Sequence, residues 1–143
     1  KNIEKHGVGD IVEVTEAKGE EFPFNSNSFD FVLSDRTTSL LMHKSVLIKE
    51  MARVVKTGGK LIIADCISRK PFSKTQLEQF RKDFACIFQA ATLEEYVGML
   101  ENSRLKDIKI IAFMNEECVR PHPKIKHKVR GQLGFAVICG RKF

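Results

Sequence analysis

The sequence lacks the features that direct a chain to a membrane or to an oxidising compartment. It contains no uninterrupted run of about 18 apolar residues, the length that a membrane-spanning helix requires. No charged and then apolar leader precedes a small-residue cleavage site, so no secretory signal peptide is predicted. The four cysteines are widely spaced and form no C-x-x-C pair, which argues against a disulfide framework or a zinc knuckle. We therefore expect a cytoplasmic protein with reduced thiols.

The length favours one domain. A chain of 143 residues that is 43% hydrophobic is long enough for one α/β core and too short for two domains of ordinary size. The first residue is Lys1 and not a methionine, which suggests a chain that is only partly represented. We expect a single, partial domain over residues 1–143.

The positive charge is concentrated in one stretch. The net charge is +6, and basic residues cluster between Arg120 and Arg130. A solvated loop is the favoured interpretation, and a nucleic-acid contact is the alternative. Aromatic residues that stack on bases are not interleaved there, so a nucleic-acid partner is disfavoured.

Two strands are predicted in the first quarter of the chain. The β-branched residues Ile11, Val12 and Val14 predict a strand that ends near Ala17. The largely apolar stretch Phe29–Leu33 predicts a second strand, buried on both faces.

A strand-helix-strand unit follows. Apolar residues at helical spacing predict a helix between Lys44 and Lys56 that Gly58-Gly59 ends: Leu47, Met51, Val54 and Val55. The compact apolar run Leu61–Ala64 then predicts the next strand. A helix joined to a strand by a tight glycine loop is typical of a parallel crossover.

Two capping signals and two apolar runs predict the helices and strands in the second half of the chain. Two pairs have the spacing of a capping box and predict the starts of two helices: Ser73 with Gln76, and Thr92 with Glu95. Two further apolar stretches predict final strands, separated by a Pro- and Lys-rich loop: Asp107–Met114 and Leu133–Cys139.

The candidate site lies where the predicted strands end. Ligands bind at the carboxyl ends of parallel strands because loops with unpaired backbone donors converge there. The residues at these ends are Lys18 and Gly19, then Ser34, Asp35 and Arg36, and finally Asp65 and Cys66. For each of them an ordinary polar loop cap is the alternative.

Three segments in combination resemble a known family: Glu21–Phe24, Asn27–Ser34 and Glu50–Leu61. They are similar to the Leu-Pro-Phe, Ser-Phe-Asp and Arg-Val-Leu-Lys-Pro-Gly-Gly segments of class I S-adenosylmethionine-dependent methyltransferases. The branch with the quinone C-methyltransferases and the arsenite methyltransferases is the most similar. The resemblance implies an α/β, Rossmann-like sheet that is mostly parallel, ends in an antiparallel hairpin and lacks its N-terminal strands here.

The resemblance also implies S-adenosylmethionine as cofactor and a small-molecule methyl acceptor. The family binds the cofactor with a G-x-G-x-G loop after its first strand and an acid after its second, and this chain has neither. Gly7-Val8-Gly9 follows no apolar strand and is interpreted as a turn. We therefore expect little or no activity from this chain alone. A module that keeps the fold and has lost the cofactor is the alternative.

The resemblance places the adenine-binding position at Lys18-Gly19. The family usually has Asp-Ala there, with the acid accepting a hydrogen bond from the adenine amino group. A lysine cannot accept that bond at neutral pH, although the Gly19 N–H can still donate to the ring. A two-residue gap would put Glu16-Ala17 in this position instead.

The loop after the Phe-Asp strand binds the methionine part of the cofactor in the family. Ser34 and Asp35 are therefore the implied contacts, Arg36 lines the entrance, and Phe24 packs below it. Methyl transfer is an in-line displacement that depends mainly on positioning, so no catalytic residue is assigned. His43 is a candidate base, with a surface or capping role as the alternative.

Two cysteines offer a possible metalloid site. Cys86–Ala90 is similar to the Cys-x-x-Gly-Ala segment that ligates arsenic in arsenite methyltransferases, but Gln89 stands where glycine is usual. Cys118 is the only matching partner, and soft ions require two or three thiolates. We favour a buried apolar role for Cys86 and predict no metal site.

Missing N-terminal strands would leave a sheet edge open at Phe29–Leu33. An open edge invites pairing with another strand, so we expect a homodimer through this edge.

Overall fold

A four-stranded sheet organises the chain, which a computed structural model describes over residues 2–80, 89–115 and 131–143. The strands are β1 (Phe29–Asp35), β2 (Val55–Ser68), β3 (Leu105–Asn115) and β4 (Leu133–Lys142), in the spatial order β1-β2-β4-β3. β1 is parallel to β2, whereas β4 is antiparallel to both β2 and β3. The described sheet is therefore mixed, and it contains the predicted parallel crossover and the predicted C-terminal hairpin.

Four helices accompany these strands in the described part of the chain. They are α1 (Asn2–Lys5), α2 (Lys44–Val54), α3 (Lys74–Phe80) and α4 (Leu93–Asn102), and a short 3-10 turn covers Thr38–Leu40. α2 connects β1 to β2, as the predicted strand-helix-strand unit requires.

Both predicted capping boxes are present. The Ser73 hydroxyl accepts from the Gln76 backbone N–H at 3.3 Å, and the Gln76 amide oxygen accepts from the Ser73 N–H at 3.0 Å. Thr92 and Glu95 make the same reciprocal pair at 3.2 and 2.7 Å. Each pair satisfies two backbone donors that a helix start leaves without partners.

Several predictions fall outside the described residues. They concern Cys86, Cys118 and the basic cluster between Arg120 and Arg130.

The core lies between one face of the sheet and helices α2 and α4. Its side chains are almost fully buried: Leu47, Ile48 and Met51 on α2, Leu61, Ile63 and Ile67 on β2, Tyr96 and Leu100 on α4, and Ala136 and Ile138 on β4. Burying one such aliphatic side chain contributes about 1.5–3 kcal/mol. This packing holds α2 against the parallel pair of strands.

The strand predicted between Ile11 and Ala17 is wrong. Those residues form a turn and an irregular segment, and the side chains of Ile11 and Val14 are 83% and 78% exposed. A β-branched run forms a strand only when a neighbouring strand accepts its backbone hydrogen bonds. No described strand lies beside this run.

β1 is present as predicted, but it is not buried on both faces. Phe31 and Leu33 are 65% and 67% exposed, whereas Ser34 is buried and Val32 is partly buried. β1 is one of the two outer strands of the described sheet, and only its Val32–Ser34 face is turned to the core, where Val32 packs.

Helix α2 ends at Val54 and not at the predicted Gly58-Gly59. The Lys142 ammonium, from β4, donates to the carbonyl oxygens of Ala52 and Val55 at 2.8 Å each. These bonds satisfy carbonyls that the end of a helix leaves without partners. Gly59 lies within β2, where a Cβ atom would be only 2.7 Å from the Asp30 carbonyl oxygen, so glycine permits the close approach of β1.

Glu50 and Arg53 connect α2 to the segment before β1. Arg53 donates twice to the Glu50 carboxylate, at 2.6 and 2.7 Å. The Phe22 backbone N–H donates to Glu50 at 2.8 Å, and the Phe22 carbonyl accepts from Arg53 at 3.3 Å. The pair therefore holds Phe22 on the helix, which an isolated surface ion pair would not do.

We expect Glu50→Gln to lower the free energy of unfolding by about 1 kcal/mol near neutral pH, because charge-assisted bonds are lost. The hydrogen bonds from Arg53 lower the pKa of Glu50 below its ordinary value of 4.5, and burial opposes them. A carboxylate with a lowered folded-state pKa stabilises fully above the unfolded pKa and loses that effect as the pH falls through the folded pKa. The difference between wild type and variant should therefore disappear in acid.

Urea unfolding measured from about pH 7 down to about pH 3 checks this expectation. Glu20→Gln, in an exposed loop, is the matched control and should leave stability unchanged. A stability difference that does not depend on pH would contradict the assignment.

Candidate functional site

The buried carboxylate of Asp65 joins the carboxyl ends of β1 and β2. Asp65 is only 1% exposed. One of its oxygens accepts from the Ser39 backbone N–H at 2.8 Å, and the other accepts from the Cys66 N–H at 2.7 Å. Because Ser39 belongs to the 3-10 turn after β1, Asp65 fixes that turn against the end of β2.

Ser34 holds the same turn from the side of β1. Its hydroxyl lies 2.9 Å from the hydroxyl of Thr38, and both residues are buried. A cofactor that contacts the Ser34 side chain, as predicted, would therefore have to share this hydroxyl with Thr38. The observed role of Ser34 is to shape the loop.

Asp35 and Arg36 are exposed at the mouth of this loop. Arg36 has a φ of +51°, a left-handed conformation that costs a residue with a side chain about 1–2 kcal/mol. Its backbone N–H donates to the Ala64 carbonyl at 2.8 Å, and its guanidinium lies 5.4 Å from the centre of the Phe135 ring. The backbone bond and the ring contact hold the residue at the end of the strand pair.

Lys18 and Gly19 lie next to the loop that follows the 3-10 turn. A Cβ atom at Gly19 would be 3.0 Å from Leu41 Cδ1, so the backbone of Gly19 lies against Leu41. Lys18 is exposed, and its carbonyl accepts from the Glu21 N–H at 3.0 Å. Gly19 thus lies beside the loop that follows β1, and this loop and the carboxyl end of β2 form one rim. β2 continues to Ser68, so Asp65 and Cys66 lie within the strand, and the prediction that they follow its end is wrong.

The structure does not bring Phe24 to this rim. Its ring makes an edge-to-face contact with Phe29, with ring centres 5.0 Å apart and an interplanar angle of 85°. Phe29 is the first residue of β1, so Phe24 lies at the opposite end of the strand from Asp35 and Arg36. The prediction that Phe24 packs below the entrance is therefore wrong, because an edge-to-face aromatic pair draws it to the amino end.

The sequence analysis did not identify Lys44, which is the first residue of α2 and lies near Asp65. This lysine is buried, and its ammonium donates to the Leu41 carbonyl at 2.6 Å. Burial lowers the pKa of Lys44, and the charges of Asp65 and Glu95 oppose that shift. Lys44 therefore puts a positive charge near the buried Asp65 carboxylate.

Thr38 and Ser39 were also missed, although the sequence carries a signal for them. Three hydroxyl residues follow one another at Thr37, Thr38 and Ser39, directly after the strand. Such residues favour turns because their side chains bond nearby backbone and side-chain groups.

Tyr96 is fully buried in the core under the site. Its hydroxyl has no hydrogen-bond partner among the described residues. Burial raises the pKa of Tyr96, and nearby Asp65 adds to that effect. The phenol is therefore neutral and can donate a hydrogen bond.

His43, the candidate base, precedes α2 and is exposed. Its carbonyl accepts from the backbone N–H groups of Val46 and Leu47, which makes it the residue at the helix start. Its side chain makes no capping bond to that helix. His43 is therefore an exposed residue at the start of α2, and its role as a base stays a prediction.

The described residues contain no group of three or more His, Cys, Asp and Glu side chains able to hold a metal ion. Neither Cys66 nor Cys139 forms a disulfide with a described residue. The possible ligands Cys86 and Cys118 lie outside the described residues. Among the helices that the structure describes, none is long and apolar enough to cross a membrane.

Comparison with known proteins identifies relatives of the chain. Residues 1–63 match the protein family described as "Methyltransferase domain". An uncharacterized protein of Methanocaldococcus jannaschii is 30% identical, in an alignment that covers 99% of this chain and 68% of that protein. The ubiquinone/menaquinone biosynthesis C-methyltransferase UbiE of Hahella chejuensis is 37% identical over 60 residues, which cover 42% of this chain and 24% of that enzyme.

Among solved structures, a putative sarcosine dimethylglycine methyltransferase from Galdieria sulphuraria has a similar fold. The TM-score is 0.75 at 17% identity, and the superposition covers 99% of this chain and 63% of that one. It supports the Rossmann-like fold class that the sequence predicts. The fold agrees with the sequence matches, and these matches lead to one conclusion: the chain belongs to the class I S-adenosylmethionine-dependent methyltransferase family.

Proposed function

We propose that the intact polypeptide transfers a methyl group from S-adenosylmethionine to a small-molecule acceptor. This chain would supply one wall of the reaction site. The observation that carries the proposal is the rim at the carboxyl ends of the parallel strands β1 and β2, where the buried Asp65 carboxylate holds the turn that follows β1. In parallel sheets such a rim is where ligands bind.

The residues at the rim fit part of the cofactor. Its methionine moiety carries an ammonium and a carboxylate, and the exposed Asp35 and Arg36 present a charge of each sign at the mouth of the loop. The Gly19 backbone lies at the other side of the same loop. The cofactor supplies an electrophilic methyl group on a sulfonium.

The chain itself would act by positioning. In-line displacement gains most from holding the reacting atoms at the correct distance and angle. Asp65 and Ser34 fix the 3-10 turn, and Phe135 holds the Arg36 guanidinium.

The chain alone would contribute little turnover. Its sequence has no G-x-G-x-G loop after a strand, and Lys18 stands where the family usually has an acid. Each difference removes contacts to the cofactor, and the affinity for the cofactor depends on the sum of all such contacts.

S-adenosylhomocysteine binding, measured by titration calorimetry, tests the proposal. We expect the complete gene product to bind it, and the 143-residue chain to bind it about 10-fold more weakly or worse. Arg36→Met keeps the apolar stem over Phe135 and removes the charge, so it should weaken binding by the complete product. No binding by the complete product at about 1 mM would reject the methyltransferase proposal in favour of a cofactor-less module.

Asp65→Asn tests the contact that shapes the site. An amide has only one acceptor oxygen, so one buried N–H of Ser39 or Cys66 would lose its partner. We expect the free energy of unfolding to fall by about 2 kcal/mol, and the affinity of the complete product for S-adenosylhomocysteine to fall with it.

Asp107→Asn is the matched control for this experiment. Asp107 is exposed and has a φ of +49°, a conformation that asparagine tolerates well. Both properties should stay at the wild-type level. An Asp65→Asn variant as stable as wild type would show that the carboxylate does not hold the turn.

A further inference from the structure

Lys44 is a buried charge without a role in the proposed reaction so far. It is the first residue of α2 and is only 9% exposed. Burying an ammonium is unfavourable unless hydrogen bonds and opposite charges compensate for it. A lysine at the start of a helix also opposes the helix dipole, which favours cations at the carboxyl end. Two unfavourable features of one position indicate that the charge there serves a purpose.

The Lys44 ammonium holds the far end of the loop that follows β1. It donates to the carbonyl of Leu41 at 2.6 Å. Leu41 directly follows the 3-10 turn and has an extended backbone, with φ of −98° and ψ of 143°. The Asp65 carboxylate accepts from Ser39 in the same turn. The loop is therefore held at two points, by a carboxylate at Ser39 and by an ammonium at Leu41.

Leu41 forms one side of the space at the rim. Its side chain packs against the core, and its Cδ1 atom would be 3.0 Å from a Cβ atom at Gly19. Gly19 is the position that the family resemblance gives to the adenine ring. A shift of the Leu41 backbone would therefore change the distance between this loop and the Gly19 backbone.

We propose that Lys44 is a positioning residue for the adenosine part of the cofactor, a role that rests on the proposed binding of S-adenosylmethionine at the rim. Its ammonium holds Leu41, and Leu41 sets the width of the space beside Gly19. Lys44 acts through Leu41 because its own side chain is buried. The two halves of the cofactor thus depend on different cations, the adenosine part on Lys44 and the methionine part on Arg36.

The groups around Lys44 determine how its effect depends on pH. Burial lowers the pKa of Lys44 below its ordinary value of 10.5, and the charges of Asp65 on β2 and Glu95 on α4 oppose that shift. Tyr96, also on α4, keeps its proton because burial raises its pKa. Lys44 therefore loses its charge at a lower pH than an exposed lysine does.

Stability and adenosine binding should respond to this titration in opposite directions. Between the folded-state pKa of Lys44 and 10.5, the folded chain binds fewer protons than the unfolded chain, so the contribution of Lys44 to the free energy of unfolding rises with pH. Adenosine binding should fall over the same range, because a neutral amine makes a weaker bond to the Leu41 carbonyl than an ammonium does. A purely structural role would move both properties together.

Titration calorimetry of the complete gene product with adenosine tests the role of Lys44. Adenosine lacks the methionine part and carries no group that titrates at neutral or mildly alkaline pH. We expect Lys44→Met to weaken adenosine binding about 5-fold or more near neutral pH, and to remove the alkaline loss of affinity that the wild type shows. Lys44→Met should weaken S-adenosylhomocysteine binding by the same factor, whereas Arg36→Met should weaken S-adenosylhomocysteine binding more than adenosine binding.

Lys49→Met is the matched control, since Lys49 is exposed on the same helix. It should leave the adenosine affinity and its pH dependence unchanged. A Lys44→Met variant that binds adenosine as tightly as the wild type would overturn the proposal. So would a wild-type affinity that does not fall in mild alkali, a measurement that decides the matter even if Lys44→Met does not fold.

Binding of S-adenosylhomocysteine by the wild type separates this proposal from the proposed function. A complete product that binds neither S-adenosylhomocysteine nor adenosine would reject both. A product that binds S-adenosylhomocysteine, but in which Lys44→Met changes nothing, would reject only the role of Lys44.

Discussion

One buried carboxylate determines the shape of the candidate site. Asp65 carries its charge into the core, which is unfavourable unless hydrogen bonds and an opposite charge compensate for it. Two backbone N–H groups and the nearby Lys44 provide that compensation. Since one of the donors follows β1 and the other belongs to β2, the carboxylate holds the 3-10 turn after β1 against β2. The rim takes its shape from the position of this turn.

Contacts elsewhere in the fold also hold the strands and loops of this rim in place. The core between the sheet and helices α2 and α4 fixes the parallel strands. Glu50 and Arg53 then hold the segment of Phe22 on α2, which places the preceding residues Lys18 and Gly19 beside the loop after β1. Charged side chains thus position loops, while apolar side chains position strands.

The sequence predicted the features that depend on local signals. The capping boxes at Ser73 and Thr92 and the apolar periodicity of α2 act over a few residues, and all three are present. The prediction that the site lies where the parallel strands end followed from the topology of a parallel crossover. The bond from Ser39 to Asp65 joins residues 26 apart, and the cap from Lys142 joins residues almost 90 apart, so no local pattern contains them. The run from Ile11 to Val14 failed as a strand because a ladder needs a neighbour.

The strand order has a consequence for the way the molecule is made. β4 follows β3 in the sequence, yet it lies between β2 and β3 and pairs with both. During synthesis, β2 and β3 would leave the ribosome before the strand that joins them, and the described sheet could close only after the ten residues of β4 appear. Pairing over such sequence separations slows folding, and exposed strand edges in the waiting chain favour aggregation. A ribosome that stalls before Leu133 would therefore release a chain without the middle of its sheet.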